Sequence, residues 1–381
     1  MKNNTLFFLS FLLLFTSGCH TKKSAPVSAR ATLIVDITSN EEMRLSDYFD
    51  NFHMVKLSTD NDHLIGEIQK IQLTNHKIFI SDGRSMFVFS ETGDFLSGFN
   101  HVGNGPGEYQ KITDFTIVGE DIVVLSRSQR KLLKYNSSGK CTSEKRLNYW
   151  AMKVSSSIDG AFMIYCGNEQ GYENQFKLHL TKDSQTVEQF LPVNSVQAKY
   201  LHVSAPSNFF KYKNTVSFFE MFNDTVYTLV NGNIERKYYI DYQGKNIPSS
   251  FFDNDYANII DFFQAIHKTS FAYGIDKFAE NDKMIMFGSI YKKTNKISIV
   301  DVHNKTSHPF ATIKDDIYFD SLIIPAEEFN YFADSSIIFP VDAPTIMEWR
   351  NKYQPAEKYT KAVNDTQEDD NPVLLIFDFK Q

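Results

Sequence analysis

The residues best suited to chemistry form one loop: Gly103, Asn104, Gly105, Pro106, Gly107, Glu108 and Tyr109. Glycines at alternate positions could turn backbone N–H groups toward an anion, as a phosphate cradle does. No helical pattern follows them, however, and no Lys-Ser/Thr pair is present, so the dipole and donors of such a cradle are missing. Glu108 and Tyr109 offer a carboxylate and a phenol instead. Comparable groups stand in Asp82-Gly83-Arg84, in residues 127–130 with Arg127 and Arg130, in residues 220–224 from Glu220, and in residues 291–293. If a repeating fold gathered Arg84, Gly105, Gly107, Glu108, Tyr109, Arg127, Arg130 and Glu220 around one mouth, the ring would suit a polar ligand such as a glycan or a peptide terminus. The same residues have a structural reading. Glycines permit the sharp turns that join repeats, and loop-rich ends of a fold are charged in any case.

Dedicated catalytic motifs are missing. The 10 histidines are dispersed, with no His-Glu-x-x-His, and no Gly-x-Ser-x-Gly elbow occurs. The three cysteines, Cys19, Cys141 and Cys166, are too few for a disulfide framework and too scattered for a zinc module. No metal-binding or cofactor motif is present. Carboxylates from distant segments could still converge on a divalent ion such as calcium, which keeps a hydrolase or lyase as the alternative to a binding protein. The chain has 39 Lys+Arg against 46 Asp+Glu, a net charge of −7, and no basic run. Such a surface repels phosphate backbones and argues against nucleic-acid partners. With 42% hydrophobic and 22% charged residues, a packed globule is expected rather than disorder. The 34 Phe and 19 Tyr favour strands.

The first segment reads as an address. Lys2 precedes a ten-residue apolar run over 6–15, too short to span a bilayer, so residues 1–18 have the form of a signal peptide. Ser17, Gly18 and Cys19 follow. This resembles a bacterial lipobox, whose cysteine takes a diacylglycerol; Thr16 stands where the pattern usually has Leu. Residues 19–30 are polar, lack acids and read as a flexible tether. The expectation is one domain over 31–381, held to a membrane of the bacterial cell envelope by lipid on Cys19 and facing the periplasm or the exterior.

A repeat organises the rest. Residues 71–99 and 115–147 share an order of strand, polar turn, strand, charged loop, strand, Gly-ended turn, strand. Ile78 and Ile122 are 44 apart, Gly93 and Gly139 are 46 apart, and weaker copies follow near 152–191, 205–242, 271–313 and from 328 to 379. Four short antiparallel strands on a period in the mid-forties signal a β-propeller blade. The sequence therefore predicts an all-β, six-bladed β-propeller of four-stranded antiparallel blades. The last blade is one strand short, and residues 32–37 or 53–57 would complete it and remove an open edge. Two stretches depart from the pattern. Residues 250–268 have helical spacing and form a small helical insertion between blades four and five; residues 344–353 form another short helix. Residues 354–371 read as an exposed polar loop with a solvated acidic run. Cys141 and Cys166 are expected to stay free thiols, with Cys166 packed as an apolar group.

The bacterial six-bladed β-propeller lipoproteins, a group related to NHL-like propellers, resemble this chain in several places. The similarity is carried by Leu64-Ile65-Gly66-Glu67-Ile68, the 103–109 loop, Phe222-Asn223-Asp224-Thr225-Val226-Tyr227, Tyr239-Ile240-Asp241-Tyr242 with Pro248, and Asp370-Asn371-Pro372-Val373-Leu374. The resemblance implies fold, export and anchoring, and no reaction. The function expected of the chain is a non-enzymatic scaffold or binding role toward a glycan, peptide or envelope protein. Asp224-Thr225-Val226 and Asp320-Ser321-Leu322 also resemble bacterial O-glycosylation sites.

Overall fold

The computed structural model describes residues 31–60, 62–157, 160–169, 175–182, 185–333 and 336–380. The signal-peptide, tether and Cys19 assignments lie outside these residues. The described chain is an all-β propeller of four-stranded antiparallel blades with few helices. Its first blade runs Lys70–Thr74, Lys77–Ser81, Met86–Ser90 and Phe95–Phe99, hydrogen-bonded in that order. The second runs Asp114–Val118, Asp121–Ser126, Lys131–Tyr135 and Cys141–Arg146, and the third Lys153–Ser156, Phe162–Tyr165, Phe176–Lys182 and Gln185–Pro192. Then come Phe209–Tyr212, Thr215–Phe218, Thr225–Val230 and Asn233–Asp241 in one sheet. The next holds Phe278–Glu280, Met284–Tyr291, Thr294–Asp301 and Ser307–Asp315, and the last Tyr331–Ala333, Ser336–Val341 and Val373–Phe379.

Burial follows position in the blade. The second and third strands are covered on both faces by neighbouring blades, so Met86, Phe87, Val88 and Phe89 are all buried in succession. The outer strand Cys141–Arg146 alternates between half-buried and exposed, as a strand with one wet face must. The turns foreseen at Gly93 and Gly139 lie before the fourth strands, with φ of 94° and 75°. A Cβ at Gly93 would stand 2.3 Å from the Lys56 carbonyl, so that turn accepts only glycine.

The N-terminal segment straps three sheets together. Ala31–Ile34 adds in parallel to Asn233–Asp241, and Glu41–Arg44 adds in parallel to Ser307–Asp315. Phe49–Lys56 pairs antiparallel with Val373–Phe379 and completes the last blade. Leu33, Val35, Ile37, Met43, Leu45 and Phe49 are buried along this path. Buried Lys296 donates to the carbonyls of Ile37 (3.0 Å) and Ser39 (2.5 Å), clamping the crossing between two sheets.

Polar latches join successive blades. Lys70 pairs with Asp114 at 2.7 Å, and the other Asp114 oxygen accepts from the Val154 N–H. Glu220 receives Lys177 (2.9 Å) and the Tyr165 hydroxyl (3.2 Å) from the preceding blade. Glu280 receives Lys237, Ser217 and Tyr238 in the same way. Lys277 donates to the carbonyls of Ala326 and Glu327, and the Tyr331 hydroxyl donates to the Ile68 carbonyl. Buried charges with several partners can remain ionised where isolated ones could not.

The insertion over 250–268 contains a 3₁₀ turn, Ser249–Asp253, and the helix Ile259–Ile266, capped by Asn258 accepting from the Ile260 and Asp261 N–H groups. Phe262 and Ile266 pack it onto Tyr200, Leu201, Phe222 and Tyr273. The second helix spans Ala343–Lys352. The stretch over 354–371 corrects the expectation of an exposed loop. It includes the helix Thr360–Asn364 and buries Tyr359, Val363, Thr366 and Asn371. Asn371 accepts from the Ile65 N–H and donates to the Ser58 and His63 carbonyls, while Asp370 pairs with Lys56 at 2.7 Å. Cys141 and Cys166 are free, and Cys166 is buried beside Leu147 and Tyr149.

Candidate functional site

The 103–109 loop is satisfied by its own blade junction. Gly103 N–H donates to the Tyr109 carbonyl, and Tyr109 N–H to that of His101. Glu108 folds back, its carboxylate accepting from the Gly105 N–H at 2.7 Å. A Cβ at Gly103 would lie 2.0 Å from that oxygen, so the glycine makes room for the carboxylate. Gly107 N–H donates to Glu144, and the Gly107 carbonyl accepts from Tyr135. Tyr109 is fully buried, its hydroxyl donating to the Arg84 carbonyl at 2.8 Å; burial pushes its phenol up to about 12. The Arg84 side chain is exposed. Arg127 pairs with Glu169, and Arg130, at φ 54°, lies over the Trp150 ring at 5.7 Å. Glu220 is 4% exposed and held in its latch. Of the candidate residues, those of the 103–109 loop join two blades, whereas Arg84, Arg127, Arg130 and Glu220 lie between the second and third strands of single blades; Glu108, Tyr109, Arg127 and Glu220 each have a partner within the fold. Of the glycosylation-like triplets, Thr225 is buried and Ser321 exposed. Asp224 is enclosed too, and burial lifts its carboxyl to about 6 against the hydrogen bond from Asn246.

A cavity lies along the axis. The inner strands enclose a cavity of about 450 Å³, within the range of small-molecule sites. One wall carries Lys70, Gln72 and Thr74 from the first blade, Thr116 from the second and Ser155 from the third. The rest of the lining carries Phe209, Lys211, Tyr212 and Lys213, with Tyr331 and Phe332 from the last blade. Three lysines line the cavity and no lining residue is acidic. Two of the lysines are engaged: Lys70 with Asp114 and the Phe115 carbonyl, Lys213 with Asp282 at 2.7 Å. Lys211 is exposed to the cavity and has no ion-pair or hydrogen-bond partner among the described residues.

The sequence reasoning did not single out this wall. Its signal is the polar-apolar alternation of Lys70, Ile71, Gln72, Leu73 and Thr74 in a blade's first strand, where the odd-numbered pair packs between blades. The even-numbered residues are then left for the axis. Calcium held by converging carboxylates does not suit this cavity. Its lining holds no carboxylate, and among the described residues no three His, Cys, Asp or Glu are grouped to share a metal.

Residues 31–378 match a family profile described as a domain of unknown function, DUF4934. The chain belongs to the DUF4934 family. No curated protein matches it. Among solved structures, a Bacteroides fragilis protein named as exported superposes on this DUF4934 chain with a TM-score of 0.73 at 18% identity, covering 92% of this chain and 100% of that one. A Bacteroides vulgatus member of the DUF4221 family reaches 0.50 at 9% identity, covering 87% and 98%. Identities this low establish the shared fold. Among the described residues of the DUF4934 chain, no helix is long and apolar enough to cross a membrane.

Proposed function

We propose that this chain is a non-enzymatic recognition protein of the bacterial cell envelope, binding a polar ligand in its axial cavity. The observation that carries the reading is the mixed lining of the cavity: hydroxyl, amide and ammonium groups stand together with aromatic rings of two blades. Ligand sites combine apolar contact area with a few placed polar groups in this way. A glycan or a peptide fits that chemistry, and an envelope protein could present either. The ring is taken as six-bladed, supported by six separate sheets in chain order.

Filling the cavity tests the reading. Gln72→Trp puts a large side chain into the space from a half-buried position. Ligands found by screening a glycan and peptide library should bind this variant at least about tenfold more weakly, a loss of about 1.4 kcal/mol, with its thermal transition unchanged. Hits that bind the variant as well as the parent would place recognition outside the cavity.

Export and anchoring belong to the same proposal. They are supported by the apolar run over 6–15, by Ser17-Gly18-Cys19, and by the exported status in the name of the Bacteroides fragilis relative in fold. Mass spectrometry of the mature N-terminus should find Cys19 first and carrying lipid. An unmodified N-terminus beyond Cys19 would refute the anchor, and Cys19→Ser should release the chain from membranes.

A further inference from the structure

We propose that the ligand of the axial cavity is a carboxylate-bearing sugar, its acid held by Lys211 and an apolar ring face laid against Phe209 and Phe332. The inference rests on the cavity being the binding site and assigns the chemistry of its occupant. Phe209 and Lys211 are two apart on one strand, so they point to the same side, about 6.6 Å from one another. Phe332 lies on a neighbouring inner strand and lines the same space. The cavity therefore offers an aromatic surface with a cation beside it.

The charge is uncommitted in a telling way. Lys70 is neutralised by Asp114, and Lys213 by Asp282. Lys211 stands in a cavity without lining carboxylates, inside a protein of net charge −7. A positive group with no ion-pair partner among the described residues, within a negative protein, favours an anionic guest. The polar part of the lining selects among anions. Gln72, Thr74 and Ser155 both donate and accept hydrogen bonds, which matches sugar hydroxyls that do the same. A short peptide would bring an N-terminal ammonium, and the lining of the cavity holds no carboxylate to receive it. A sugar acid leaves no such cation unpartnered.

Calorimetry on the full mature chain decides the matter with three probes: trigalacturonic acid, its methyl ester and triglutamate. The acid should bind, the ester should bind at least about tenfold more weakly, and added salt should erode the difference. Lys211→Met should abolish the preference for the acid while leaving ester binding and the thermal transition in place. Equal binding of acid and ester would overturn the carboxylate assignment and leave the cavity as the site. Triglutamate binding without the sugars would overturn the sugar. Failure of all three probes would overturn the inference, while the library screen with Gln72→Trp judges the cavity separately.

Discussion

A chain lacking residues 31–57 should not fold to a stable monomer. The deletion removes eight buried apolar side chains, Leu33, Val35, Ile37, Met43, Leu45, Phe49, Val55 and Leu57. At roughly 1.5–3 kcal/mol each, their burial contributes on the order of 12–24 kcal/mol as an upper bound. Whole domains are stable by only about 5–15 kcal/mol. The loss is also topological. Val373–Phe379, a strand of five consecutive buried residues and two more, would lose its partner Phe49–Lys56. The exposed edge would then recruit other chains. Aggregation or loss of the cooperative transition is the expected result, measured by light scattering and thermal melting. A milder variant separates ring closure from gross truncation. Phe49 is 1% exposed and meets Phe377 and Phe379 with ring centroids at 4.9 and 5.3 Å. Phe49→Ala should lower stability by about 3–5 kcal/mol in a chain that still folds. A truncated chain that stays monomeric with an unchanged melting temperature would show that the strap does not close the ring.

That closing strand was legible in the sequence because the last repeat lacked a strand and an apolar stretch lay unassigned near the N-terminus. The blades were legible for a similar reason. Hairpin turns that require glycine, such as Gly93 and Gly139, recur with the period of the fold. Of the two other straps, residues 32–37 read as a strand but not as one belonging to the sheet of Asn233–Asp241, and Glu41–Arg44 left no trace. Their parallel pairing involves residues about 200 or more positions away, with no turn between them to mark it. The candidate loop residues raise a different point. Tyr109 and Glu220 carry polar groups that look available in a sequence, yet each is consumed by partners on another strand or blade. Side-chain chemistry is local, whereas its satisfaction is tertiary. The true cavity wall is spread over inner strands whose residues are neither adjacent nor alike. Only the alternation through Lys70, Gln72 and Thr74 hinted at a wet axis.

Glu220 turns that contrast into a measurement. As a ligand-binding residue at a channel mouth, its loss would weaken binding and leave stability alone. As a latch, its loss should do the reverse. The carboxylate is 6% exposed in its side chain and accepts from Lys177 at 2.9 Å, Tyr165 at 3.2 Å and Asn223 at 3.2 Å. Glu220→Ala strands the ammonium of Lys177, whose side chain is 12% exposed, and leaves the buried Tyr165 hydroxyl without that acceptor. Removing one partner of a buried pair costs about 3–5 kcal/mol, because the remaining charge stays desolvated and alone. Replacing both partners should cost far less, since neither charge is then buried. Chemical denaturation should therefore show Glu220→Ala strongly destabilised, with much of the loss recovered in Glu220→Leu combined with Lys177→Met. Glu220→Gln should fall between, keeping an acceptor for Tyr165 but no charge for Lys177. Ligand binding by the folded fraction of each variant should match the parent, because Glu220 does not line the axial cavity. A Glu220→Ala protein that keeps its stability but loses its ligand would return the site to the blade-junction loops and remove the axial cavity from the argument.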